Sequence, residues 1–169
     1  MEDLLQLLRQ AIIGETSAWT LIVKGFKEQA FSPEEQIQIF LYIKQAAHES
    51  NHAIFLQALL YDKGYGVKKD AAMAFLLMRE AAAKSHGRAT YEVGKRFKEG
   101  KGITQNHENA FVWLQRAAGS PYYEVDAMYA LGEMYEQGCG TKQDLAAAKL
   151  WYERAAKKGH QQAKAKMLQ

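Results

Sequence analysis

Five consecutive residues, His48-Glu49-Ser50-Asn51-His52, match the H-E-x-x-H pattern of zinc hydrolases. That chemistry needs both histidines on one helical face, i and i+4, with the glutamate poised as a base. The surrounding sequence denies that setting. His48 closes one helical segment, and His52 stands directly before Ala53, which opens the next, so the five residues fall in an inter-helix turn. No third ligand follows at a known spacing. A metal-dependent hydrolase is therefore the lesser reading, and no cofactor is expected.

Other residues with chemical potential have simpler uses. The pairs Gly64-Tyr65-Gly66, Gly100-Lys101-Gly102 and Gly138-Cys139-Gly140 are not phosphate loops. None belongs to a G-x-x-x-x-G-K run or follows a strand. Cys139 takes the variable place between two glycines and reads as an exposed, inert thiol, with no sequence sign of an activating base. As the one cysteine it excludes an internal disulfide, which fits a reducing compartment. Trp113 and Trp151 read as core rather than as a ligand cage. His86, His107 and His160 lie near helix ends, where surface histidine is the expectation.

The elements that must position these residues come from an internal repeat. The glycine pairs are 36 and 38 residues apart. An aromatic precedes each pair by three (Tyr61, Phe97, Tyr135), and an alanine precedes it by eleven (Ala53, Ala89, Ala127). Asp70, Asn106 or Asp144 follows each first glycine, then Ala74, Ala110 or Ala148, then Leu77, Trp113 or Trp151. An alanine pair closes each unit.

Each unit reads as two helices. The first ends at the glycine pair, where glycine takes the left-handed conformation of a helix exit. The polar residue after it caps the second helix. A weaker unit precedes these three: Ala18, Val23 and Phe26 mark its first helix, and Ser32-Pro33-Glu34-Glu35 is a capping-box start to its second. Tyr42 then takes the tryptophan place. Leu4, Leu5, Leu8, Ala11 and Ile12 form an amphipathic opening helix, and Ala163 and Met167 begin a final half-repeat.

The third unit, from Ala127 through Leu131-Gly132, Tyr135, Gly138-Cys139-Gly140, Asp144, Trp151 and Ala155-Ala156 to Gly159, resembles the Sel1-like repeat family, a relative of the tetratricopeptide repeats. The second unit keeps Val93-Gly94, Phe97 and Trp113, while the first has Gln57-Ala58 and Leu77 in place of the usual Leu-Gly and Trp. The resemblance implies an all-α, right-handed solenoid of antiparallel helix pairs, about ten helices in all. It also implies a bacterial, non-enzymatic scaffold for protein interactions, without naming the partner.

The expected layout is one repeat domain over 1–169. It has an N-terminal capping helix (1–15), a degenerate repeat (16–52), repeats at 53–88, 89–126 and 127–162, and a C-terminal half-repeat at 163–169.

Composition agrees. The 169 residues are 48% hydrophobic and 24% charged with two prolines, which suits a helical globular chain. The net charge of +3 is too mild for a dedicated nucleic-acid binder. Charge is uneven: residues 1–50 are net acidic and residues 51–121 net basic. The acidic N-terminus does not read as a signal peptide, and no window is apolar enough for a membrane span. A cytoplasmic protein is expected, or one delivered to a host cell without a leader, as a monomer or weak homodimer. Self-assembly through the leucine-rich opening helix is a further alternative.

The third position of each first helix is aromatic: Phe55, Tyr91 and Tyr129. On the helical wheel it lies nearly opposite the core stripe. Leu59, Arg88, Lys95 and Glu133 share that face, with His52, Asp62, Lys98, Asp126 and Glu136. In a solenoid the first helices line the concave surface, so Phe55, Leu59, Arg88, Tyr91, Lys95, Tyr129 and Glu133 form a candidate peptide groove. Its middle is expected to be basic and its third unit acidic. Packing between successive first helices is the other use open to these rings.

Overall fold

The computed structural model describes residues 2–119 and 121–167; the outermost ends of the sequence layout, Met1 and Leu168-Gln169, lie outside the described residues. Among the described residues there are ten helices and no strand. They are α1 (Glu2–Ile12), α2 (Thr16–Lys27), α3 (Pro33–Ala46), α4 (Asn51–Lys63), α5 (Ala71–Ala83), α6 (Gly87–Glu99), α7 (His107–Ala118), α8 (Val125–Gln137), α9 (Leu145–Lys157) and α10 (Gln161–Lys166). None of these helices is long and apolar enough to cross a membrane. The helices fall into two compact units, one ending at His86 and one beginning at Gly87.

The caps stand where polar residues follow the glycine pairs. Asp70, Asn106 and Asp144 each accept a backbone N–H three residues on, from Met73, Asn109 and Ala147. Their own N–H groups donate to the carbonyls of Tyr61, Phe97 and Tyr135, each at 2.9 Å. Each loop is thus closed onto the helix before it. In the second unit the amides of Gln105 and Gln143 add a bond to the carbonyls of Lys98 and Glu136, both at 2.8 Å. Ser32 and Glu35 form the reciprocal capping box at the start of α3.

In the first unit, α1 packs on α2, α3 and α4, and α4 packs on α5. Leu8 and Ala11 of α1 are buried, so the opening helix places its apolar face inside this unit's core. Phe26 stacks on Tyr65 at 4.4 Å, which gives the residue between two glycines a packing role.

In the second unit, α6 to α10 pack in sequence, each on the next. Gly94 and Gly132 let the second helix of each pair approach: a Cβ added at Gly94 would lie 2.9 Å from Leu114, and one at Gly132 would lie 2.5 Å from Tyr152.

The tryptophan place is not the core position. Trp113 and Trp151 are half-buried, with Arg116 and Arg154 over their rings at 5.5 and 4.7 Å. The residue after each is buried instead. Leu114 and Tyr152 are 0% and 5% exposed, and Met78 and Ile43 hold the same place in the first unit. The helix turns this next position onto its partner, and the indole covers the flank. Cys139 is half-buried rather than fully exposed.

Gly140 has φ +72, and a Cβ there would meet the carbonyl of His107 well inside van der Waals contact. Gly140→Val should destabilise the second unit by at least about 1–3 kcal/mol, read from urea unfolding followed by circular dichroism. In the same assay Leu114→Ala should cost about 2–5 kcal/mol, against less than about 1 for Trp113→Phe. The reverse order would restore the indole as the core residue.

Candidate functional site

The five residues of the H-E-x-x-H match do not share a helix. His48 and Glu49 are in a turn, and α4 begins only at Asn51. Ser50 caps α4 by accepting the N–H of Ala53, and its hydroxyl donates to the carbonyl of Ile12, both at 3.2 Å. Among the described residues no group of three His, Cys, Asp or Glu converges to hold a metal.

His52 is instead paired with His86, Nδ1 to Nε2 at 2.8 Å. Phe55 stacks on the His86 ring at 4.7 Å. The groove expectation is corrected here: Phe55 is buried, 7% exposed, because one face of its ring is covered by His86. Leu59 is half-buried against the first unit's core. Burial lowers His52, and burial together with the neighbouring His52 lowers His86 to about 4.

The remaining predicted residues come together in the second unit. A cleft of about 390 Å³ opens between α6 and α8, with Tyr91 and Lys95 on one wall, Tyr129 and Ala130 on the other, and Leu114 lining it. Two ion pairs join the walls: Arg88 to Asp126 at 2.6 Å and Lys98 to Glu133 at 2.7 Å. Glu92 also meets Arg88, at 3.2 Å. The expected separation into a basic middle and an acidic third unit is therefore corrected, because these charges neutralise each other across the cleft. Glu136 is held by Lys166 and by the Tyr152 hydroxyl, which keep its carboxyl below the usual range. Lys95 has no such partner among the described residues.

Tyr129 stacks on His160 at 4.4 Å, the same arrangement as Phe55 on His86. His160 is not a free surface histidine. Its Nδ1 accepts the N–H of Ala163, capping α10, so Nε2 carries the proton and faces Asp126 at 3.7 Å. Tyr91 lies under the Arg88 guanidinium at 4.6 Å. Burial, then Asp126 and Glu92, push its hydroxyl up to about 12, so it stays a neutral donor. Sequence reasoning missed the histidine stacks. Their signal was a constant interval, from Phe55 to His86 and from Tyr129 to His160, with Tyr122 in the corresponding place after Tyr91.

The Sel1 repeat pattern matches three consecutive segments, residues 51–86, 87–120 and 125–160. The chain belongs to the Sel1 repeat family. Among solved structures it is similar to a Sel1 repeat protein from Oxalobacter formigenes, with a TM-score of 0.74 and 28% identity over 88% of this chain. It is also similar to c5321, a protective antigen of uropathogenic Escherichia coli with an SLR fold, with a TM-score of 0.73 and 26% identity over 92% of this chain. The chain spans 60% of the first of those proteins and 33% of the second. Helicobacter pylori cysteine rich protein B shares the fold at 20% identity and a TM-score of 0.59, over 73% of this chain and 92% of its own length. No curated protein sequence matches the chain. These likenesses make the fold an all-α solenoid of helix pairs. Sel1 repeats are a non-enzymatic scaffold family whose members bind proteins.

The His52–His86 pair implies a pH response. Unfolded, His86 titrates near 6.5; folded, near 4. The unfolded chain therefore takes up its proton first as pH falls. This contribution to stability is full above pH about 6.5 and is lost progressively towards about 4. The melting temperature should fall across that window, and His86→Gln should flatten the slope.

Proposed function

We propose that this protein is an adaptor that holds an acidic segment of a protein partner in the α6–α8 cleft, on the concave face of its helix pairs. The observation that carries this reading is Lys95. Arg88, Lys98, Asp126 and Glu133 are all paired around it, while Lys95, a cation of the cleft lining that also includes Glu99, has no ion pair among the described residues. A carboxylate from the partner supplies the missing counter-charge. The neutral Tyr91 hydroxyl and the Gln162 amide line the same cleft and are further polar contacts for it. Tyr129, Ala130 and Leu114 offer apolar surface for a neighbouring side chain. Phe55 and Leu59 support the fold of the first unit rather than the contact itself. The setting we propose is bacterial, in signalling, in assembly or in contact with a host; the E. coli neighbour is a protective antigen.

Polar pairs of this kind set the direction and specificity of binding more than its strength. Peptides selected from a random display library on the wild-type protein should share an Asp or Glu. Lys95→Glu should weaken them about tenfold or more, roughly 1.4 kcal/mol, at an unchanged melting temperature. Selected peptides without an acidic residue, or indifference to Lys95→Glu, would refute the assignment.

A further inference from the structure

The second unit carries another cleft, of about 440 Å³, away from α6 and bounded by the α7–α8 loop and the end of α9. Its apolar surface comes from Tyr123, Met128 and Trp151, and its basic groups are Arg154, Lys157 and Lys158. We propose that this cleft is a docking site for an acidic peptide segment carrying one large apolar side chain. The proposal is independent of the α6–α8 reading.

The cleft exists because of a local departure from the repeat. α7 ends at Ala118 and α8 begins only at Val125, whereas three residues separate α5 from α6 and α9 from α10. Residues 121–124 fall outside the segments that match the Sel1 pattern, so this feature is the chain's own. The loop is tied down by backbone bonds from Tyr123 to Gly119 and from Glu124 to Ala117, both at 2.9 Å. Tyr123 has φ 52, a left-handed conformation that a bulky residue adopts only under constraint. The residue is nevertheless 50% exposed. The loop thus holds a large aromatic half in solvent at a conformational cost.

Charge selects the occupant. Arg154, Lys157 and Lys158 are exposed, and none has a carboxylate within ion-pair distance among the described residues. Arg154 lies over the Trp151 ring and Lys158 over the Tyr123 ring, at 4.7 and 5.4 Å. A helix C-terminus favours cations in general. Among the second helices of the three matched repeats, however, the last turn of α5 has none and that of α7 has only Arg116, whereas that of α9 has Arg154 and Lys157. Apolar walls beneath a three-cation rim suit an apolar anchor flanked by Asp or Glu. A concave cleft of about 440 Å³ suits a peptide side chain better than a flat anionic membrane.

The test uses fluorescein-labelled ten-residue peptides, with glutamates flanking one central Leu, Ile, Met, Phe or Trp, titrated into the whole protein. At least one should bind with a Kd below 1 mM, and replacing its central residue by Ala should weaken it at least fivefold. The Lys157→Glu/Lys158→Glu double variant should weaken it tenfold or more, whereas the charge-matched first-unit variant Lys27→Glu/Lys68→Glu should leave it unchanged. Tyr123→Gly relieves the backbone and removes the ring, so binding should fall while the melting temperature holds or rises. The proposal is overturned by no binding across the set, by equal binding of the Ala version, or by indifference to the double variant. Binding to phosphatidylserine vesicles that the peptide fails to compete would overturn it as well.

Discussion

Each glycine-ended pair of helices closes on one backbone hydrogen bond. The N–H of the cap residue (Asp70, Asn106 or Asp144) reaches back to the carbonyl of the aromatic that precedes the glycine pair. Two left-handed residues are needed to bring those groups together, and glycine adopts that conformation without steric penalty. The same cap then satisfies a free N–H of the next helix. With the turn held at both ends, the second helix has one way to lie against the first. Gly94 and Gly132 then face Leu114 and Tyr152, and the interior of each pair follows.

That geometry has consequences for charge. The first helices α6 and α8 stand close enough for side chains on their shared face to pair directly, and Arg88 with Asp126 and Lys98 with Glu133 do so. Partly exposed ion pairs contribute little to stability. Their larger effect is to cancel much of the local field and leave Lys95 and Glu99 as the cleft's charges without an ion pair among the described residues. Aromatic rings on that face are shared between two roles, as the stacks on His86 and His160 show. Phe55 is covered almost completely, while Tyr91 and Tyr129 keep part of their surface open.

The H-E-x-x-H match shows how a chemical motif is emptied by its setting. A zinc site needs a continuous helix through it. Here Ser50 stops the preceding turn and starts α4, using its hydroxyl on two backbone groups at once. His52 then turns to His86, and both rings lose basicity in a half-buried environment rather than converging on a metal.

Most of the fold was legible in the sequence because its signals are local and repeated. Glycine pairs, caps at Asp70, Asn106 and Asp144, and the Ser32–Glu35 box all act within a few residues of themselves. Three copies of the pattern also averaged away the noise of any one. What the sequence could not decide depends on side chains meeting across helices. Periodicity located the apolar stripe, but choosing between Trp113 and Leu114 required the angle at which α7 meets Gly94. Likewise, residue types showed charges on one face of α6 and α8. Only their distance revealed that Arg88 and Lys98 are neutralised while Lys95 is not, since pairing depends on separations of a few ångströms that spacing along the chain does not encode.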